Sequence, residues 1–279
     1  MTRLTVKKTY KLFIGGKFPR SESGRVYEVF DPRGNFVANV AKGSRKDVRD
    51  AVVAARAAQP GWEGATAYNR GQVLYRIAEM LEGRRSQFIE EITAVEPVSS
   101  EAAATQVDSA IDTLVWYAGW SDKIDSVAGS MNPVAGPFFN ISTNQPTGVV
   151  AVLANNRDSL LGLVRGIAPA IVSGNTVVAI PSEAYPLAAI TLAEVLATSD
   201  LPGGVVNILT GSLEELAPWL ATHQDVNAID LTGARNLDWA QLERSAAETL
   251  KRVIRPGDLA EFRPDSRHPG SLQHITALM

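Results

Sequence analysis

The fold is decided by the stretch PTGVVAVLANNRDSLLGLVRGIAPAIVSGNTVVAIPSE, residues 146–183. Residues 149–154 form an apolar run that does not alternate with polar residues, which is typical of a strand covered on both faces. Polar residues suited to helix capping follow, and the apolar segment 160–172 is long enough for a buried helix that Gly174 ends. Residues 176–180 form a second apolar strand. The stretch therefore predicts a strand, helix, strand unit in a parallel sheet.

The rest of the C-terminal half repeats this alternation. The predicted helices and strands, in chain order, are helix 187–197, strand 205–209, helix 212–222, strand 226–231, helix 239–249 and strand 251–254. Strands that alternate with helices of this length indicate right-handed crossovers, so the predicted fold class is α/β with a doubly wound parallel sheet. The polar residues that follow the strands should meet at one edge, where open α/β sheets bind ligands.

The N-terminal half predicts smaller elements. A short hairpin that turns at 15–16 and a strand at 26–30 are expected at the periphery of the molecule. A helix is expected to begin at a Ser44 cap and to close at 59–61. Two or three further helices are expected between residues 66 and 120, with their aromatic residues packed in the core.

Composition excludes several classes of function. The 279 residues carry 27 basic and 30 acidic side chains, a net charge of −3 without long charged blocks, so nucleic acid is not an expected partner. No segment approaches the roughly 20 continuous apolar residues of a membrane span, and the first residues have no apolar core for a signal peptide, so we expect no membrane association and a cytoplasmic location. The sequence contains no cysteine, which excludes disulfides and thiol nucleophiles.

A series of short motifs then occurs in a characteristic order. They are FIGGK at 13–17, Trp62 with Arg70, PTGVV at 146–150, GNTVV at 174–178, PSE at 181–183, PGGVVN at 202–207, TG at 232–233 and LKRV at 250–253. Over about residues 10–253 the chain resembles the aldehyde dehydrogenase superfamily. Residues 174–187 and 197–204 are most similar to the degenerate, non-catalytic second domain of family 16 of that superfamily.

The resemblance implies a Rossmann-like, NAD(P)-binding domain. It divides the chain into an N-terminal hairpin and helical part of the same domain at 1–145, a Rossmann-like α/β part at 146–258 and a loosely ordered tail at 259–279. The catalytic domain of the family would begin where this chain ends, and we expect it to be absent.

Two candidate cofactor-binding residues remain from the family pattern, Glu183 and Gly233. Glu183 keeps the carboxylate of the family's Lys-Pro-Ser-Glu motif, but Ile180 stands where the lysine contacts the adenosine ribose. Gly233 opens the family's Gly-Ser-x-x-x-Gly helix start, but Asp238 replaces its last glycine, and a carboxylate there repels a pyrophosphate. We therefore expect no cofactor, or at most weak NAD binding.

No catalytic residue is predicted. In active members Pro-Trp-Asn follows the first strand, and its Asn donates to the oxyanion; the aligned residues here are Asn155, Asn156 and Arg157. The motif of the general base aligns with 255–258, where Pro256 takes the place of the base. Aldehyde oxidation in this family also requires a cysteine thiolate, so the chain is expected not to catalyse that reaction alone.

The remaining candidate nucleophiles and metal ligands are interpreted as structural. Ser159 and Ser182 have no adjacent histidine or lysine to activate them, so a cap or turn role is expected for each. Asp158 is expected to act as the N-cap of the following helix. His223, His268 and His274 are too far apart in the sequence to indicate a metal site, and surface positions are expected for them.

Three hypotheses remain open. The first is a pseudoenzyme or structural subunit that associates with a complete aldehyde dehydrogenase, or with itself, because the family forms dimers through a helix of this domain and an oligomerisation strand. The second is an NAD(P)-binding fragment that contributes to aldehyde oxidation, an oxidoreductase function, with the catalytic part supplied in trans. The third is a truncated relic, suggested by the polar sequence after Val253.

Overall fold

The computed structural model describes residues 6–154, 157–259 and 270–279. Within them the strands are β1 (Val26–Phe30), β2 (Phe36–Ala41), β3 (Ser130–Met131), β4 (Ile141–Ser142), β5 (Val149–Leu153), β6 (Thr176–Ile180), β7 (Val206–Ile208), β8 (Ala228–Asp230) and β9 (Arg252–Ile254). Strands β5 to β9 form a parallel sheet of order β7-β6-β5-β8-β9. The pairs β1-β2 and β3-β4 are small antiparallel sheets.

Helices cover both faces of the parallel sheet. In the described residues they are α1 (Arg45–Glu63), α2 (Ala67–Glu82), α3 (Arg85–Val95), α4 (Ser100–Trp120), α5 (Ile124–Ala128), α6 (Ser159–Val172), α7 (Leu187–Ala197), α8 (Leu213–Thr222), α9 (Trp239–Ala247) and α10 (Leu272–Ala277). Helices α6 and α7 pack on one face, the α6 face, with α2, α3 and α4 behind them. Helices α1, α8 and α9 pack on the opposite face, the α1 face. This arrangement confirms the predicted α/β class with a doubly wound parallel sheet.

The central strand, helix, strand unit is confirmed. Strands β5 and β6 pair in parallel from Val149 with Thr176 to Leu153 with Ile180, and every residue of both strands is buried. Gly174 lies in the turn between α6 and β6, and its backbone is in the left-handed region, with φ at 89°. The absence of polar alternation in the sequence thus reflects burial on both faces of the sheet.

Helix α1 begins as predicted but ends later. Ser44 and Asp47 form a reciprocal capping box at its start. The predicted end at 59–61 is wrong, because the helix continues through Pro60 to Glu63. The buried Trp62 explains the extension, since its indole nitrogen donates a 2.9 Å hydrogen bond to the Ile171 carbonyl and fixes the last turn.

The first hairpin turns where predicted, with φ at 60° and 76° for Gly15 and Gly16. It lies at the outer edge of the sheet, in agreement with its expected peripheral position, but it is not a free hairpin. Phe13 exchanges backbone hydrogen bonds of 2.9 and 2.8 Å with Ile208 of β7, and its side chain is buried. The hairpin therefore covers the outer edge of β7, and this contact protects that edge from pairing with other chains.

For residues 270–279 the structure differs from the expected loosely ordered tail at 259–279. Residues 260–269 lie outside the described residues, but residues 270–279 contain α10, which packs beside α6. Ile275 and Leu278 are fully buried in the same apolar core as the α6 face. Contacts with α6 and with Asp230 of β8 hold this segment in place, and these contacts cannot be read from the local sequence. No helix in the described part of the chain is long and apolar enough to cross a membrane.

Candidate functional site

The candidate site is the edge of the parallel sheet at the carboxyl ends of its strands. The chain leaves β5 toward β6 and β7, then returns to β8 on the other side of β5. The connections after β5 and β8 therefore diverge to opposite faces, and such a switch point is where open α/β sheets bind ligands.

Glu183 and Gly233 follow different strands of this edge. Glu183 lies half-buried after β6, and Gly233 lies after β8, with β5 between the two strands. Burial and, secondly, the negative charge of Glu183 raise the pKa of Tyr27 in β1 above its ordinary value. Their roles in cofactor binding stay predictions.

The position expected to carry a lysine is apolar in structure as well as in sequence. Ile180, the last residue of β6, is fully buried and belongs to the core of the α1 face. Its side chain offers neither a positive charge nor a hydrogen-bond donor at this edge.

The connection between β8 and α9 is stabilised by hydrogen bonds among its own residues. The amide of Thr232 donates to the Asp230 carboxylate at 2.9 Å, and the amide of Ala234 donates to the Leu231 carbonyl at 2.8 Å. Helix α9 begins only at Trp239, where the Asp238 carboxylate accepts a 3.0 Å hydrogen bond from the amide of Gln241. The amide groups at the start of α9 thus face a fixed negative charge from the protein itself, which disfavours a phosphate.

The start of α6 is organised by Glu96 and Gln106, which the sequence patterns did not identify. Ser159 donates a hydrogen bond to the buried carboxylate of Glu96, and the amide of Leu160 donates to Gln106 at 2.9 Å. Burial raises the pKa of Glu96, and the hydrogen bonds from Ser159 and Gln106 partly offset this shift. No sequence signal indicates this cluster, because Glu96 and Ser159 are 63 positions apart.

Of the expected cap and turn roles, that of Ser182 is confirmed, whereas that of Asp158 is only partly correct. Asp158 occupies the N-cap position of α6 with φ at 51°, but its side chain makes no capping hydrogen bond, so that expectation is wrong in its mechanism. Ser182 accepts a 3.1 Å hydrogen bond from the amide of Tyr185, which confirms its turn role. Arg157 is exposed beside this edge, and Asn155 and Asn156 lie outside the described residues.

A buried histidine and a buried aspartate form a hydrogen-bonded pair at the carboxyl end of β8. His274 of α10 lies 2.9 Å from the Asp230 carboxylate, and both side chains are almost entirely buried. Burial acts to raise the pKa of Asp230, but the hydrogen bonds from His274 and Thr232 outweigh it and lower this pKa below its ordinary value. The expected surface position of His274 is therefore wrong.

The other histidines form no metal site in the described structure. His223 is half-buried and accepts a 3.2 Å hydrogen bond from the amide of Asp225. His268 lies outside the described residues. Within the described ranges no group of three or more His, Cys, Asp or Glu side chains is placed to hold a metal ion.

These features define the class of protein. It is an open, doubly wound α/β domain of the Rossmann-like type, and the carboxyl edge of its sheet carries an apolar residue, a self-capped helix start and a buried histidine-aspartate pair.

Comparison with known proteins identifies the family. The model of the aldehyde dehydrogenase family matches residues 18–255. The chain is 34% identical over 259 residues to "Aldehyde dehydrogenase, cytosolic 1" from Elephantulus edwardii, covering 91% of this chain and 51% of that protein. It is 33% identical over 261 residues to "Cytosolic 10-formyltetrahydrofolate dehydrogenase" from Mus musculus, covering 90% of this chain and 28% of that protein. The chain belongs to the aldehyde dehydrogenase family.

Solved structures agree with this assignment. HpcC from Thermus thermophilus is 30% identical and superposes with a TM-score of 0.82, covering 88% of this chain and 47% of that chain. PnpE from Pseudomonas sp. WBC-3 is 27% identical with a TM-score of 0.82, covering 88% of this chain and 50% of that chain. The chain thus spans about half the length of these proteins or less.

Proposed function

We propose that this chain is a non-catalytic aldehyde dehydrogenase subunit that associates with a complete aldehyde dehydrogenase. The residues at the ligand edge do not fit NAD well, which supports a role other than aldehyde oxidation. Ile180 supplies no donor for a ribose, and Asp238 occupies the helix start that a pyrophosphate needs. The 279 residues also contain no cysteine to form the thiohemiacetal.

The proposal of a partner is based on the exposed hairpin formed by β3 and β4. Its apolar side chains are strongly exposed, with 70% of Met131, 74% of Phe138, 86% of Phe139 and 60% of Ile141 accessible to solvent. Contiguous exposed apolar residues of this kind mark interaction surfaces in folded proteins.

The backbone of the same hairpin favours a partner that supplies an extended strand. Strands β3 and β4 pair only with each other among the described residues, so each strand has one edge free for backbone hydrogen bonds. A complete dehydrogenase of the same family is our proposed source of that strand, since the family resemblance implies assembly through an oligomerisation strand. Pairing with a second copy of this chain is the alternative outcome.

The proposed setting is the cytoplasm, because two of the relatives carry "cytosolic" in their names. Neither nucleic acid nor a membrane is part of the proposal.

Co-expression with each complete aldehyde dehydrogenase of the source organism, followed by purification and light scattering, tests the association. The double variant Phe138→Ser with Phe139→Ser should weaken the complex at least about tenfold, since aromatic anchors dominate interface energies. A matched control is Tyr68→Ser with Tyr75→Ser, which removes two exposed aromatic side chains of α2 and should leave the complex intact. A chain that stays monomeric with every one of these enzymes contradicts the proposal.

The half-buried Glu183 favours one second candidate, an NAD(P)-binding fragment whose catalytic part is supplied in trans. Calorimetric titration of this chain, purified without a dehydrogenase, with millimolar NAD and NADP distinguishes the NAD(P)-binding fragment from the non-catalytic subunit. Heat that disappears in a Glu183→Gln variant supports the fragment, whereas the absence of heat supports the non-catalytic subunit.

A further inference from the structure

Residues 270–279 cover a part of the sheet that no crossover helix of the described chain covers. The crossovers after β5 and β6 place α6 and α7 on the α6 face, whereas α8 and α9 lie on the α1 face beside β8 and β9. The α6 face of β8 and β9 is therefore left to α10. Ile275 of α10 and Leu278, which follows α10 directly, complete the apolar core that contains Ala228 of β8 and Ile254 of β9.

At the carboxyl edge of the sheet the segment is held by polar contacts. The amide of Ser271 donates to the Tyr117 hydroxyl at 3.1 Å, and His274 lies 2.9 Å from the Asp230 carboxylate. Asp230 is fully buried, so its charge is compensated only while His274 and the connection after β8 remain in place.

At the amino edge the segment is held by one carbonyl group. The Leu278 carbonyl accepts hydrogen bonds of 2.7 Å from the Thr147 hydroxyl and 3.0 Å from the Asn175 side-chain amide. Asn175 also accepts a bond of 2.7 Å from the amide of Gly148 immediately before β5. The segment therefore runs along the sheet from its carboxyl edge to its amino edge, with one group of polar contacts at each end.

We propose that residues 270–279 form a latch, a docked cover that opens and closes over the α6 face of β8 and β9 while the rest of the domain stays folded. A helix of six residues is too short to persist in water without such docking. Within residues 270–279 only two side chains, those of Ile275 and Leu278, are fully buried, whereas β5 and β6 are buried at every residue. Segments with few buried apolar contacts open at a lower free energy than the core.

The latch lies beside the part of the sheet where a ligand would bind. His274 binds the last residue of β8, and β8 borders the switch point at which open α/β sheets bind ligands. An open latch exposes the Asp230 carboxylate and the apolar face beside that point, and a closed latch covers both. This control does not depend on association with a dehydrogenase, so either proposal can fail without the other.

The absence of cysteine allows a direct test by thiol labelling. Ala228→Cys places one thiol on the α6 face of β8, and Ala151→Cys places a control thiol on the α1 face of the neighbouring strand β5; both alanines are fully buried. Labelling with a chromogenic aromatic disulfide should be about tenfold faster or more for Ala228→Cys than for Ala151→Cys. Adding His274→Ala should accelerate labelling of the Ala228→Cys thiol by about a further tenfold and leave the control rate nearly unchanged.

Equal labelling rates at the two sites, or equal acceleration of both by His274→Ala, overturn the proposal, because both results mean that residues 270–279 open only with the whole domain. Hydrogen exchange of the unmodified chain gives a test that needs no substitution. The amides of Ile275 and Leu278, which bond to the carbonyls of Ser271 and Ile275, should exchange faster than those of β5. Protection equal to that of β5 contradicts the latch.

Discussion

Leu250 shows how a single residue is held in a conformation that its type disfavours. Its side chain is 93% exposed, and its backbone lies in the left-handed region with φ at 55°. The amide of Leu250 bonds to the Ala247 carbonyl, and the amide of Lys251 bonds to the Ala246 carbonyl, the pattern of a Schellman motif after α9. Glycine is usual at this position, because a Cβ atom in the left-handed region is crowded.

We expect Leu250→Gly to raise the free energy of unfolding by about 0.5–1 kcal/mol, since relief of backbone strain exceeds the added flexibility of the unfolded chain. The exposed side chain contributes no burial that would be lost. Leu250→Ala is the matched control, because it removes the side chain but keeps the Cβ atom, and its stability should match that of the parent. Urea denaturation measures all three, and equal stability of the glycine and alanine variants would show that no strain is stored there.

At the scale of elements, the start of α6 depends on α4. Helix α6 has no capping hydrogen bond from its own N-cap side chain, and Gln106 of α4 instead accepts the amide proton of Leu160. The same Gln106 donates to the buried Glu96 carboxylate at 3.4 Å. One amide side chain thus satisfies a helix end and a buried acid together, which fixes the packing of two helices that share the most extensive contact made by α6.

Gln106→Leu should lower the free energy of unfolding by about 2–3 kcal/mol, because the buried amide of Leu160 and the Glu96 carboxylate each lose a partner. The control is Gln72→Leu on α2, whose exposed side chain donates to the exposed Tyr68 hydroxyl and should change stability by less than about 0.5 kcal/mol. Chemical denaturation of both variants provides the comparison. A Gln106→Leu variant as stable as the control would refute the capping role of Gln106.

At the scale of the whole molecule, the domain is built from two apolar cores separated by the parallel sheet. The core of the α6 face extends from the N-terminal helices to α10, and the core of the α1 face joins α1, α8 and α9. The Asp230 and His274 pair lies where the last segment of the chain meets the central sheet. Loss of that pair therefore weakens the packing of residues 270–279 against the sheet, and with it the stability of the whole domain.

This contact predicts a specific dependence on acid. The pKa of Asp230 in the folded protein lies below the ordinary value of 3.8, so its stabilisation is complete above pH 3.8 and is lost as the pH falls through the lower native pKa. Asp230→Asn should reduce the free energy of unfolding at pH 7 by about 2 kcal/mol, and the difference from the parent should shrink below about pH 4.

Urea denaturation at a series of pH values measures this difference. The control is Asp225→Asn, which alters a well-exposed carboxylate near the start of β8 and should follow the parent at every pH. A difference between the parent and Asp230→Asn that is constant from about pH 7 to pH 2 would show that the ionised Asp230 does not supply the stabilisation.

The sequence predicted the sheet more fully than the site. Strand β6 and helix α7 fall on the predicted residues, because unbroken apolar runs report burial on both faces directly. The family resemblance also identified Ile180 and Asp238 as replacements, and the structure shows one buried and the other capping α9. The partners of Glu96 and His274 were not predictable, since local patterns of hydrophobicity show that a residue is buried but not what it contacts.

By itself, therefore, the sequence determined the α/β class, the family and the absence of a thiol among the 279 residues. Those properties follow from local periodicity, from short motifs and from composition. The tertiary structure alone decided that the first hairpin covers the edge of β7 and that residues 270–279 dock on the sheet. The physical reason is that both depend on contacts between segments far apart in the chain, such as His274 with Asp230 across 44 positions, whose free energy exists only once the sheet has formed.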